Sequence, residues 1–232
     1  MQIEQNETFN QVLNEYFRVA GTYNRNKKWN EMTENELWYE LCICILSSNV
    51  PYELAKSAFL HLLQKGFLQL DWIVNEDSSQ KIMTEELSKP LYLPKKLDGS
   101  CRKYRFPNMR SKNITQAARL IASNNDLIKK ILTGSSSEGE VRDYLVANIP
   151  GIGLKQSSHF LRNIGYSDEL AIIDSHVITF LERIGMLEQR KAKHITDSTY
   201  LDLENKLKKL SRKFELNLSI FDMAIWNHMR KK

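Results

Sequence analysis

The sequence predicts an all-α fold. Apolar residues recur at helical spacing through most of the chain, and glycine (9) and proline (5) are scarce in 232 residues. Strand-type alternation is nearly absent; Ala171-Ile172-Ile173 is its best candidate and is too short to matter.

Phe9, Val12, Leu13, Tyr16 and Phe17 share one face of a helix over Glu7–Val19. Thr33 opens the next helix, with Glu36 completing a capping box, and Leu37 to Leu46 is its buried part. Ser47-Ser48-Asn49-Val50-Pro51 breaks that helix, and Tyr52–Leu63 resumes the pattern. Weaker helices are expected over Leu68–Val74 and Thr84–Leu87. A loop with Pro90, Pro94, Gly99 and Pro107 follows, then a helix near Ser111–Ser123 and a short one at Asp126–Leu132. Gly134-Ser135-Ser136-Ser137 is a joint that caps a helix over Glu138–Asn148. Leu154–Ile164 is helical and stops at Gly165. Asp174 begins a helix through Ile184, and Tyr200–Phe214 and Leu218–Met229 complete the set.

Hydrophobic content of 42% suffices for a real core. The longest apolar runs, such as Leu41–Leu46, are far too short to cross a bilayer. Met1-Gln2-Ile3-Glu4-Gln5 lacks the basic-then-apolar order of a secretion signal, so a cytoplasmic chain is expected. Cys42, Cys44 and Cys101 cannot all pair and form no Cys-x-x-Cys, which points to reduced thiols. The net charge of +5 is mild, but its distribution is not. Lys95, Lys96, Arg102, Lys103, Arg105, Arg110 and Lys112 face the single acid Asp98, with Tyr104 and Phe106 interleaved. Such a patch attracts a polyanion and releases its counterions. Taken alone, a solvated loop with ordinary surface charge fits the segment as well.

Asn148-Ile149-Pro150-Gly151-Ile152-Gly153-Leu154-Lys155 is the most informative stretch. So tight a turn between helices needs positive φ, which glycine reaches without strain. Gly151 and Gly153 also let a phosphate approach the main chain, where the N–H groups opening the next helix would meet it. Pro150 stiffens the entry, and Leu145, Ile149 and Ile152 supply apolar contacts. A plain helix–turn–helix corner needs one glycine, not Pro-Gly-x-Gly.

Lys155 sits at the start of the second helix, where the dipole prefers acids. An amine there is a candidate nucleophile for a carbon centre. Asp174, nineteen positions on, can cap the helix it opens, and singly that reading is the stronger. Its catalytic use would be charge stabilisation of a cationic transition state or relay of a proton.

Pro150-Gly151-Ile152-Gly153-Leu154-Lys155 with Asp174-Ser175-His176 resembles the helix-hairpin-helix DNA glycosylase superfamily. Lys155-Gln-Ser-Ser-His159-Phe-Leu-Arg-Asn163-Ile-Gly165-Tyr166 and Ile172-Ile173-Asp174-Ser175-His176 are similar to the type-2 8-oxoguanine DNA glycosylase/lyases. The similarity runs from about residue 35 to the end. It implies two helical subdomains with an active-site cleft between them. Residues 31–164 would form a helical barrel ending in the hairpin motif at 138–164. Residues 165–232 would carry Asp174 and pack with an N-terminal helix in 1–30.

The resemblance further implies a bifunctional enzyme acting as a monomer on damaged double-stranded DNA. Lys155 would attack the deoxyribose and displace 8-oxoguanine, and Asp174 would stabilise the developing charge. His176 would hold the lesion-strand phosphate, beside Gly151 and Gly153. Asn49 would fill the gap left by the everted nucleotide, with Arg105 also on the DNA. Asp222 and Trp226, at i and i+4 on the last helix, would respectively read the edge of the base and stack on it. His159 and the terminal Lys232 are further pocket candidates. No cofactor and no side-chain metal site is implied. Main-chain carbonyls of Ala147, Ile149 and Ile152 are candidates for a monovalent cation. Iron–sulfur relatives carry four cysteines after the hairpin, whereas this chain has none beyond Cys101. A glycosylase for alkylated purines or oxidised pyrimidines, and a non-catalytic hairpin module that only grips DNA, remain as alternatives. The second has no need for both Lys155 and Asp174.

Overall fold

The computed structural model describes residues 3–22, 28–134, 137–188 and 195–230. Ser135 and Ser136 of the expected joint, and Lys232, lie outside them. The described residues form twelve α-helices and two short 3-10 turns. Their one extended pairing is an isolated antiparallel bridge between Tyr92 and Arg102. The chain divides into two compact units, Trp29–Ile164 and Met1–Lys28 with Gly165–Lys232.

Helix α1 (Glu7–Ala20) belongs to the smaller unit. Asn6 caps it by accepting from the Phe9 N–H, and the Asn6 amide donates to the Arg183 carbonyl. Phe9 is fully buried, its ring 4.6 Å from Phe214 and 6.4 Å from Phe221. Burying a phenylalanine stabilises by about 1.5–3 kcal/mol. The first helix is thus part of this unit's core, not an appendage.

The larger unit contains α2 (Glu34–Ser47), α3 (Tyr52–Gln64), α4 (Leu70–Asn75), α5 (Ser79–Ser88), α6 (Pro107–Ala122), α7 (Leu127–Gly134), α8 (Glu138–Asn148) and α9 (Leu154–Asn163). The capping box at α2 forms: Thr33 Oγ1 accepts from the Glu36 N–H, and the Glu36 carboxylate accepts from the Thr33 N–H. Such a cap contributes about 1 kcal/mol. Leu37, Trp38, Leu41, Cys42, Cys44, Ile45 and Leu46 of α2 are buried. The Trp38 indole N–H donates to the Leu68 carbonyl at 2.7 Å.

Some elements, α5 and α6 among them, are longer than their sequence pattern indicates. Helix α5 extends back to Ser79, whose buried hydroxyl donates to the Ile73 carbonyl. Helix α6 starts at Pro107, four residues before Ser111. Proline at the first helical position costs nothing, because that N–H has no intrahelical partner.

In the smaller unit α10 (Ser175–Arg183), α11 (Asp197–Lys213) and α12 (Leu218–Met229) complete the fold. Helix α12 packs against α1, α10 and α11. Phe180 of α10 meets Phe221 of α12 edge-on at 5.8 Å.

Candidate active site

The Pro-Gly-Ile-Gly turn joins α8 to α9, and its two glycines do different work. Gly151 has φ +83°, and a Cβ there would stand 2.4 Å from Nδ2 of Asn113 on α6. Both backbone and space demand glycine. Gly153 is the N-cap of α9, with φ −113° and ψ −174°. That is extended backbone open to any residue, and a Cβ would meet only Gln156 Oε1 at 3.8 Å. The positive φ expected of this turn is therefore confined to Gly151. Ile149 and Ile152 are buried beneath it, and the Ile149 carbonyl accepts from the Ile152 N–H at 3.2 Å.

Lys155 is the second residue of α9 and half-buried. His159 follows one turn later, also half-buried. Burial first, then the neighbouring Arg162 and Lys155 charges, push its pKa down to about 3. His159 is therefore a neutral imidazole at physiological pH.

Asn49 follows the end of α2. It is exposed and has φ 57°, a left-handed conformation that asparagine tolerates better than most residues. Three side-chain donors hold the main chain around it. Tyr104 donates its hydroxyl to the Leu46 carbonyl at 2.5 Å, Arg110 Nη2 to the Ser48 carbonyl at 2.7 Å, and Arg105 Nη1 to the Asn49 carbonyl at 3.3 Å. Arg110 is buried and Arg105 exposed; both guanidinium groups lie over the Phe106 ring. The end of the basic segment is thus tied to the Asn49 loop. Its start folds back as a hairpin, with Tyr92 and Arg102 exchanging main-chain hydrogen bonds.

In the smaller unit Asp174 caps α10. Its Oδ1 accepts from the N–H groups of His176 at 2.8 Å and Val177 at 3.0 Å. The capping role is real, and it uses one oxygen. His176 meets Trp226 edge-on at 6.5 Å, and the Arg230 guanidinium lies 4.3 Å from the indole centroid. Asp222, one turn before Trp226, is 2% exposed, and its Oδ2 accepts from the Ile172 N–H at 2.9 Å. One face of α12 thus runs along the segment that carries Asp174 and His176.

The larger unit gathers Gly151, Gly153, Lys155 and His159 on the turn and α9, with Asn49 and Arg105 together on the loop pair. The smaller gathers Asp174, His176, Trp226 and Asp222. Among the described residues no group of three or more His, Cys, Asp or Glu side chains is placed to hold a metal ion. Nor is any described helix long and apolar enough to cross a membrane.

Residues 21–216 match the family model for 8-oxoguanine DNA glycosylase. The chain belongs to the 8-oxoguanine DNA glycosylase family. It is 33% identical over 198 residues to the 8-oxoguanine DNA glycosylase/AP lyase of Saccharolobus islandicus, covering 85% of this chain and 84% of that one. Identity to the corresponding protein of Sulfurisphaera tokodaii is 37% over 200 residues, covering 86% and 85%. The crystal structure of Methanocaldococcus jannaschii 8-oxoguanine DNA glycosylase is similar, with TM-score 0.71 and 28% identity over 95% of this chain and 94% of that one. The structure of the glycosylase/lyase from that organism in complex with a 15mer DNA containing 8-oxoguanine has TM-score 0.70 and 27% identity, covering 100% and 95%.

Several residues that support the candidate residues within each unit carry no motif. Asn113 blocks the position above Gly151. Tyr104 and Arg110 hold the Asn49 loop. Tyr200 and Glu204 bond the main chain before Asp174. The available signal for the last pair was an acid, Glu204, inside the apolar stripe of α11, where it is buried.

Proposed function

We propose that this chain is a base-excision-repair enzyme that removes 8-oxoguanine from double-stranded DNA and then cleaves the strand. The observation that carries the reading is Lys155, an amine placed against the helix dipole directly after the Pro-Gly-Ile-Gly turn, in a chain of this family. Its Nζ attacks C1′ of the everted nucleotide, and the bond to the base breaks. The base leaves with a proton. Ring opening gives an iminium between Lys155 and the sugar. Loss of a C2′ proton then expels the 3′-phosphate, and hydrolysis returns the lysine. Asp174, with one oxygen fixed as a cap, offers its carboxylate charge to the cationic sugar as the base departs.

The DNA is held by the turn at Gly151 and Gly153, by His176 at a phosphate, and by Asn49 and Arg105 at the gap. The carbonyls of Ala147, Ile149 and Ile152 are candidates to carry a monovalent cation to a phosphate. Trp226, backed by Arg230, stacks on the everted purine. His159 lines its neighbourhood as a neutral imidazole. Asp222 holds the Ile172 N–H through one oxygen, and its carboxyl group is the candidate reader of the base edge.

Borohydride reduction of a reaction with an 8-oxoguanine duplex tests the reading. A covalent protein–DNA adduct is expected; normal duplex affinity with no adduct and no base release would leave only a DNA-gripping module.

The two glycines separate fold from binding. Gly151→Ala should cost about 2–4 kcal/mol, from left-handed strain plus the overlap with Asn113. Gly153→Ala should melt like the parent yet bind duplex DNA about tenfold more weakly, because its Cβ stands where a phosphate must approach. Thermal melts alongside binding isotherms check both.

The basic hairpin is a DNA rail in this reading. Lys95, Lys96 and Lys103 are exposed, and the Asp98 carboxylate accepts from Ser100. Replacing all three lysines with alanine should flatten the salt dependence of duplex binding by a log–log slope of about 2–3. The single-turnover rate at saturating DNA should stay unchanged.

His159 also gives a stability prediction. Its pKa is lower in the fold, near 3, than in the unfolded chain, near 6.5. The unfolded state therefore binds more protons below pH 6.5, and stability falls as pH drops from there toward 3. Urea melts at pH 7.5 and 5 should show a larger loss for the parent than for His159→Gln.

A further inference from the structure

The four residues before Asp174 are buried and outside any helix or sheet. Leu170, Ala171, Ile172 and Ile173 are each at most 7% exposed. Buried main-chain groups must find partners, and here no strand supplies them. Side chains do. The Ala171 N–H donates to Glu204 Oε1 at 3.0 Å, the Ile172 N–H to Asp222 Oδ2 at 2.9 Å, and the Ile173 N–H to the Tyr200 hydroxyl oxygen at 3.3 Å. The same hydroxyl donates its proton to the Ala171 carbonyl at 2.8 Å.

Tyr200 and Glu204 are i and i+4 on α11, so one face of that helix grips the segment. Asp222 grips it from α12. Immediately afterwards Asp174 bonds His176 and Val177. Five N–H groups between Ala171 and Val177 are thus each fixed by a side chain. Two of the acceptors, Glu204 and Asp222, are carboxyl groups each 2% exposed, and burying such groups is costly compared with apolar packing. Simple packing of α11 on α12 requires neither. What the arrangement achieves is a main chain with one direction on entering Asp174.

We propose that Tyr200, Glu204 and Asp222 are positioning residues that set the orientation of the Asp174 carboxylate by clamping the main chain at 171–173. This rests on the charge-stabilising role given to Asp174 above. Tyr200→Phe keeps the ring and removes both hydroxyl bonds; Glu204→Gln keeps an acceptor at the same place, and Glu204→Met removes it. A carboxylate displaced by about an ångström loses much of its effect on the transition state.

The experiment is single-turnover release of 8-oxoguanine from a duplex, measured with affinity for that duplex, in the full chain. Tyr200→Phe and Glu204→Met should each slow release about tenfold or more with affinity within about twofold, while Glu204→Gln stays within about threefold of the parent. In an Asp174→Asn background Tyr200→Phe should add nothing, because the group it positions is gone. Equal slowing in both backgrounds, a proportional loss of affinity, or equal damage from Glu204→Gln and Glu204→Met would overturn the proposal. Should Tyr200→Phe fail to fold, the Glu204 pair, each also combined with Asp174→Asn, carries the same decision. Unchanged release in Asp174→Asn alone would instead remove the role of Asp174, a separate failure visible without any clamp variant.

Discussion

Lys155→Gln is expected to abolish the borohydride-trapped adduct and to lower strand cleavage by on the order of 10³-fold, while duplex affinity stays near that of the parent. Glutamine matches most of the lysine stem and holds the same helical position, but its amide nitrogen is no nucleophile. The turn that precedes it is untouched, because Ile149 and Ile152 remain buried beneath it. Loss of a positive charge near the DNA predicts only a small drop in affinity, on the order of one phosphate contact. Gel-resolved trapping and cleavage, with binding measured in parallel, separate the two effects. A variant that still forms the adduct would move the nucleophile elsewhere in the chain.

Asp174→Asn is expected to slow base release by about 10²–10³-fold. The amide retains an oxygen that can accept from the His176 and Val177 N–H groups, so α10 keeps its cap and melting should shift little. What disappears is the negative charge proposed to face the cationic sugar. Binding should change far less than rate. Equal losses in affinity and rate, or a melting temperature that falls in step with activity, would mean that Asp174 is a cap and nothing more. On a duplex that already carries an abasic site the same variant should trap nearly normally, since the base has gone.

The helical layout was legible because its signals are local. Thr33 with Glu36, Ser137 before Glu138, and Asp174 before Ser175 each announce a helix start, and each forms the expected cap. Helix α5 was seen only in part, since Ser79 gains its burial from the Ile73 carbonyl, a contact no periodicity shows. Pro107 read as a loop residue because proline marks both turns and first helical positions. At the candidate site, Lys155 and the turn stand out through unusual chemistry in a fixed spacing. The supports do not. Asn113 reaches Gly151 across 38 residues of sequence (151 − 113), and Tyr200 and Glu204 reach the 171–173 segment from another helix. Ala171-Ile172-Ile173 reads as a strand too short to matter; it joins no sheet, and side chains satisfy its N–H groups where a neighbouring strand would.

The bridge between Tyr92 and Arg102 closes its hairpin before the chain reaches Tyr104, Arg105 and Arg110. Beyond the bridge the hairpin is tied to α3, the Leu93 N–H donating to the Ser57 hydroxyl at 3.0 Å. Leu97, at the apex and fully solvated, is a natural attachment point for a fluorophore that would report DNA engagement in real time.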